Sequence, residues 1–235
     1  MMDGLFPRYE KYDPQAPVWC VTPGEGRVFH RFFDTSPISP SGRYLVAFRM
    51  PFEDRLPEPG EAGQVVVVDL RTGEERVVDT TRGWEPQLGA NQQWCGDDRT
   101  LVFNDVDTET WEPYGVKLDW PTGERQRMEG GVYHASPDGR FVLHCSPERM
   151  RRTQLGYGVL IPDERVPTNR GLPSDDGLFI TDTTTGKRRL MISIAEAFER
   201  CADQLRHDVD YATGEAYGFH AKWSPDGTHL LFTVR

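Results

Sequence analysis

Four short apolar runs stand out along the chain: Tyr44-Leu45-Val46-Ala47-Phe48, Leu101-Val102-Phe103, Phe141-Val142-Leu143 and Leu230-Leu231-Phe232. Each follows a polar turn. Three of the turns read Ser-Pro-Ser-Gly (39–42), Ser-Pro-Asp-Gly (136–139) and Ser-Pro-Asp-Gly (224–227), and a worn copy, Cys-Gly-Asp-Asp, occupies 95–98. Pro presets φ, Asp bonds its own backbone and Gly accepts positive φ, so the chain reverses there and leaves as a strand. Runs this uniformly apolar suit strands covered on both faces. A second turn recurs in phase: Arg71-Thr72-Gly73-Glu74, Pro121-Thr122-Gly123-Glu124 and Thr184-Thr185-Gly186-Lys187, each between two strand-like segments. That pattern predicts hairpins.

Put together, the unit is four antiparallel strands joined by the Ser-Pro turn, a loop and the Thr-Gly turn. A repeated four-stranded sheet predicts an all-β propeller. Blades are expected at 35–80, 88–128, 132–193 and from 219 onward, giving about three and a half blades. The 88 residues from Ser136 to Ser224 exceed one ordinary blade. They hold a Pro- and Arg-rich insertion at 146–176 and a helical insertion at 194–207. Its helix is predicted over 194–205, with Ser193 and Glu196 as a capping box. Residues 1–34 form an N-terminal segment ahead of the blades at 35–235. Two accounts of the fourth blade are open: the chain is a truncated part of a longer propeller, or segments 18–22 and 27–30 supply its missing outer strands and close a small four-bladed ring. Either way 17–33 reads as the outer edge of a blade.

Composition narrows the picture. The 235 residues carry a net charge of −10, which argues against a general nucleic-acid surface, although Arg149, Arg151 and Arg152 cluster locally. The N-terminus shows no secretory h-region and no stretch approaches a membrane span. The four cysteines, Cys20, Cys95, Cys145 and Cys201, are widely spaced and read as free thiols in a reducing compartment. Together these point to a cytoplasmic protein that uses neither membrane nor nucleic acid, while the indoles and amides at 84–94 suit a small saccharide as partner, or else a protein.

The turns at 136–139 and 224–227, each followed by an apolar strand, resemble the TolB-like propeller repeat over residues 33–235. That likeness implies an architecture more than an activity. Its superfamily includes interaction propellers and oligogalacturonate lyases, the latter with a His-rich metal site. Phe219-His220-Ala221-Lys222-Trp223 is similar to such a His-bearing inner strand. The equivalent positions in the other units, Thr35, Asn91 and Val132, are not histidines. The lyase likeness therefore implies His220 as a metal ligand or base, without a complete set of ligands for a divalent metal; no other cofactor motif is present.

Propellers bind at the mouth of the central channel, on inner strands and connecting loops. Four segments are placed to contribute. His30, Arg31 and Asp34 flank Phe32-Phe33 and would hold an acidic or sugar ligand, or form a structural salt bridge. Trp84, Gln87 and Asn91 enter the second inner strand; indole and amides suit sugar hydroxyls, or else buried amides satisfy loop backbone. The insertion offers Arg152, Gln154, Tyr157, Asn169 and Arg170 as a roof over the mouth, or serves packing. His207 and Asp208 with His220 would make a cation site, or a solvated charged loop. The favoured reading is a non-catalytic propeller binding a ligand or partner at its mouth. The alternative is a lyase- or hydrolase-type enzyme acting on an acidic saccharide, with His220, Lys222 and Arg31 as catalytic candidates. The two separate on geometry: whether His30, Arg31, Gln87, Asn91 and His220 converge.

Overall fold

The computed structural model describes residues 2–24, 27–201 and 214–235. Fourteen strands and one short helix are formed among these residues. The first sheet is β1 (Val28–Phe29), β2 (Tyr44–Arg49), β3 (Gly63–Asp69) and β4 (Glu75–Thr81), in chain order. The second is β5 (Gln93–Trp94), β6 (Thr100–Val106), β7 (Pro113–Asp119) and β8 (Glu124–Met128). The third is β9 (His134–Ala135), β10 (Phe141–His144), β11 (Gly177–Asp182) and β12 (Arg188–Ser193). The fourth sheet has two described strands, β13 (Gly218–Trp223) and β14 (Leu230–Val234). All pairings within these sheets are antiparallel. Four-stranded meanders repeated in sequence order are propeller blades.

The two recurring turns explain the repetition. At the Ser-Pro turn of the third sheet, Asp138 Oδ1 accepts from the Arg140 N–H at 3.1 Å and from the Ser136 hydroxyl at 2.6 Å. Ser136 Oγ in turn accepts from the Phe141 N–H at 3.0 Å. Gly139 closes the corner at φ 70° with its α-carbon against the Cys95 carbonyl of the neighbouring sheet, where a Cβ would meet that oxygen at 2.5 Å. A side chain is thus excluded both by conformation and by space. Asp97 does the same backbone work in the worn copy, accepting from Arg99 and Thr100 N–H at 2.8 and 2.6 Å. In the Thr-Gly hairpins, Gly73, Gly123 and Gly186 each donate to the carbonyl of Asp69, Asp119 and Asp182 at 2.8 Å.

The central strands bury their apolar runs between sheets. Val46, Phe48, Val65 and Val67 pack against Trp84, Leu101, Phe103 and Val116. Val102 and Val142 meet with Met128 and Val132 between the second and third sheets. Leu143, Leu178 and Ile180 meet Phe219 and Ala221 of β13. Each such Val, Leu, Ile, Met or Phe side chain contributes about 1.5–3 kcal/mol by leaving water. Buried on both faces, these strands need no alternation, as their sequence shows.

Residues 28–29 are not an outer edge: β1 pairs with β2 through Val28↔Arg49 and Phe29↔Phe48, as the first strand of the first sheet. The Phe29 ring packs edge-on against Phe48 at 5.8 Å, and the Met50 N–H donates to the Arg27 carbonyl at 3.0 Å. The segment expected to pair with it instead pairs upstream, Tyr9 N–H to the Val18 carbonyl at 2.9 Å and Cys20 N–H to the Pro7 carbonyl at 3.0 Å. The helix α1 (Ile194–Glu199) starts on the expected box: Ser193 Oγ accepts from the Glu196 N–H at 3.1 Å and Glu196 accepts from the Ser193 N–H at 2.8 Å. Residues 202–205 of the predicted helix lie outside the described residues.

The insertion folds back on the second sheet. Its Val159, Ile161 and Val166 pack against Val106 and Trp111. Its return is fixed by Asn169, whose amide donates to Asp176 Oδ2 at 2.7 Å and the Ala216 carbonyl at 2.8 Å. No described helix is long and apolar enough to cross a membrane. All four cysteines are free, Cys95 and Cys145 being buried.

Candidate functional site

The inner strands bring one polar cluster together from all four sheets. Its centre is Arg31, which is only 3% exposed. The segment between β1 and the first Ser-Pro turn carries the guanidinium inward, over the Tyr133 ring at 4.8 Å. Nε donates to Asn91 Oδ1 at 2.9 Å, Nη1 donates to the Thr35 hydroxyl, and Asp34 Oδ1 lies 3.8 Å away. Nη2 is enclosed and makes no well-formed hydrogen bond among the described residues, with the Tyr133 hydroxyl as a further neutral partner of the guanidinium. Burial lowers the Arg31 pKa, partly offset by Asp34, Tyr133 and Glu85; a guanidinium remains charged regardless.

Asn91 sits at φ 56°, a left-handed position Asn tolerates better than most residues. From there its Oδ1 faces Arg31 while its Nδ2 donates to Glu85 Oε1 at 3.1 Å. Glu85 is 2% exposed, and its Oε2 accepts from the Gly158 N–H of the insertion. Burial pushes its pKa up to about 8, against the pull of Gly158, Asn91 and Arg31. Gly158 is held at φ 85°, where a Cβ would lie 2.6 Å from the Pro147 carbonyl. A chain of contacts therefore runs from the insertion through Glu85 and Asn91 to Arg31.

On the opposite side, the Tyr133 hydroxyl hydrogen-bonds His220 Nδ1. Burial, then Lys222, push the His220 pKa down to about 4, so the imidazole is neutral at pH 7. His134 is neutral for the same first reason, its pKa also pushed down to about 4. Its Nδ1 accepts the Trp223 N–H at 2.9 Å, so the neutral ring carries its proton on Nε2. Lys222 Nζ pairs with Asp34 Oδ2 at 2.7 Å. Burial alone would raise the Asp34 pKa, but Arg31 and Lys222 hold it below its ordinary value. Burial also raises the Tyr133 hydroxyl pKa. An open cavity of about 360 Å³ at the turn end of the channel is lined by Asp34, Thr35, Gln93, Trp94, His134 and Trp223.

Of the residues expected to converge, Arg31, Asn91 and His220 do, through Tyr133, with Asp34 and Lys222 beside them. His30 does not: it is exposed just after β1. Trp84 is core, 1% exposed, packed on Phe48 at 5.3 Å, its indole N–H donating to the Glu61 carbonyl at 2.6 Å. Asn169 serves the insertion's return, and Arg170 is exposed beside it. Gln87, Arg152, Gln154 and Tyr157 line a separate cavity of about 520 Å³ under the insertion. Tyr157 touches both places, its ring 6.4 Å from that of His220. Glu85, Tyr133 and His134 were missed. A carboxylate between Trp84 and Pro86 was the available signal for Glu85; nothing local distinguished the other two.

The solved structures share this architecture. TolB from Acinetobacter baumannii superimposes with a TM-score of 0.51 at 12% identity, over 94% of this chain and 41% of that one. Oligogalacturonate lyase in complex with manganese gives 0.53 at 15%, over 98% and 66%. The chain shares the β-propeller fold of TolB and oligogalacturonate lyase. Oligogalacturonate lyase from Vibrio parahaemolyticus gives 0.54 at 14%, over 98% and 65%. The chain thus spans about two fifths of that TolB and just under two thirds of the lyases. No family model and no curated protein matches it.

A divalent metal on His220 does not fit the described residues. Its Nδ1 is taken by Tyr133, and no three His, Cys, Asp or Glu side chains among the described residues form a ligating group. His207, Asp208 and Asp210 lie outside the described residues.

Proposed function

We propose that the chain is a ligand-binding propeller that takes a small anion, of the acidic-saccharide carboxylate class, in the channel beside Arg31. The observation that carries this is the buried Arg31 cation, whose Nη2 makes no well-formed hydrogen bond and whose further partner, the Tyr133 hydroxyl, is neutral. A buried guanidinium donor left unmatched costs free energy that an incoming carboxylate recovers. The charges agree. Arg31 and Lys222 are cationic, Asp34 is anionic, Glu85 with its pKa near 8 is mostly protonated at pH 7, and both histidines are neutral. The cluster is therefore net positive inside a chain of charge −10. The His134 Nε2–H and the Tyr133–His220 pair add neutral donors suited to hydroxyls.

Calorimetric titration with galacturonate and with galactose tests it. One galacturonate per chain is expected, weakened roughly 10- to 100-fold by Arg31→Lys, which keeps charge but loses the fork. Equal binding of galactose, or an unchanged Arg31→Lys variant, overturns it.

A second reading draws on one further observation, the neutral His220 imidazole bonded to Tyr133 beside Arg31. It is a lyase-type elimination. His220 Nε2, with the ring proton on Nδ1 toward Tyr133, takes the proton from the carbon next to a bound carboxylate. The C–H pair becomes a C=C bond, the leaving oxygen departs from the neighbouring carbon with its bonding pair and takes a proton from water, and His220 returns its own to solvent. Incubation with oligogalacturonides should then raise the ultraviolet absorbance of an unsaturated uronate, and His220→Ala should abolish the rise. No absorbance change in the unaltered protein removes this reading and leaves the binding one standing.

A further inference from the structure

The second cavity lies under the insertion, beside the channel cluster, and shares Tyr157 with it. It is about 520 Å³, within the range of small-molecule sites. One lip is Leu56, in the loop between β2 and β3; the other is Leu155, in the insertion. They are 70% and 86% exposed. Two large aliphatic side chains held out over one concavity gain nothing from water. The floor continues apolar through Pro86, Leu160 and Val166.

The polar groups on its wall differ in how far they are satisfied. Arg151 pairs with Asp163 at 2.7 Å and donates to the Ile161 carbonyl, so its charge is compensated. Gln154 accepts from Arg235 at 2.7 Å. Arg152 donates to the Val166 carbonyl at 2.9 Å and has no carboxylate partner among the described residues. An apolar cup with one uncompensated cation on its wall is complementary to a molecule with an apolar body and a single negative head.

We propose that this cavity is a second ligand site, for a monoanionic amphiphile such as an aromatic or short-chain alkyl carboxylate or sulfonate. The body lies between Leu56 and Leu155, and the head meets Arg152. The site is independent of the channel and stands whether or not the channel binds an anion.

The probe is anilinonaphthalene sulfonate, titrated into the full chain by fluorescence. One molecule per chain is expected, with enhanced emission. Leu155→Ser and Arg152→Gln should each weaken it roughly tenfold, since both side chains are exposed and each removes one interaction class. Leu231→Ser, on a similarly exposed leucine of β14 (52% exposed), should leave it unchanged, as should Arg31→Lys. Octanoate should displace the probe. Absence of enhanced emission, several weak sites indifferent to Leu155→Ser, or equal loss in Leu231→Ser would overturn the proposal. So would a concentration-dependent dimer abolished by Leu155→Ser, because the cup would then be covered by a second copy.

Discussion

Replacing Glu85 by Gln should change how stability depends on pH in a defined direction. In the folded chain the carboxyl is buried and its pKa lies near 8; in the unfolded chain it titrates near 4.3. Between these values the folded state keeps a proton that the unfolded state has lost. Stability contributed by this group is therefore lost as pH rises through that window, and the loss stops above about pH 8. The limiting slope is about 1.4 kcal/mol per pH unit, or about 2 kcal/mol between pH 6.5 and 8. The amide cannot ionise, so Glu85→Gln should lack this term, whatever constant offset it carries from re-pairing with Asn91 and Gly158. Urea unfolding followed by tryptophan fluorescence at pH 6.5, 7.2, 8.0 and 9.0 reads the difference directly. The gap between the two proteins should shift in favour of the variant by about 2 kcal/mol from pH 6.5 to 8 and then level off. A constant gap would mean that Glu85 is already ionised at neutral pH, and the charge count used for the channel would be wrong.

Other outcomes follow from the same contacts. Ionised Glu85 adds a negative charge beside Arg31, so galacturonate affinity should fall as pH passes 8, and this fall should be absent in Glu85→Gln when measured by calorimetry. Gly158→Ala, at φ 85° and with the Pro147 carbonyl 2.6 Å from the new Cβ, should cost at least about 2 kcal/mol in urea unfolding and detach the insertion from Glu85. His144 is buried against Phe179, rings stacked at 5.3 Å, and burial pushes its pKa down to about 4. A base lowered in this way contributes stability above pH 6.5 that is lost as pH falls toward 4. His144→Gln should flatten that acid limb by about one proton's slope, seen as a smaller change in the urea midpoint between pH 6.5 and 4.5.

The turns carried most of the fold into the sequence. Ser-Pro-Asp-Gly and Thr-Gly corners act through their own backbone, so Asp138, Asp97 and Gly123 could be assigned from neighbours a few residues away, and the sheets they join followed in phase. The first inner strand was not legible in this way. β1 is two residues long, and residues 30–38 separate it from the Ser-Pro corner at 39–42, whereas β5 and β9 end directly before theirs, so the corner did not mark its pairing with Arg49. The site divides along the same line. Arg31, Asp34, Asn91, His220 and Lys222 drew notice as polar residues on or near inner strands. Trp84 carried the same signal, yet its indole N–H found the Glu61 carbonyl and its ring the core. Tyr133 and Glu85 look ordinary locally; they matter because β9 and the loop before β5 meet Arg31 and Gly158 from distant parts of the chain.

The proposed anion site centres on Arg31, whose Nη2 makes no well-formed hydrogen bond. A crystal structure grown in sodium bromide, with anomalous scattering from the halide, tests it most directly. A bromide peak is expected within hydrogen-bonding distance of Arg31 Nη2, lost in Arg31→Met crystals. A guanidinium whose Nη2 is capped by a protein carbonyl or carboxylate, with no halide beside it, would contradict it.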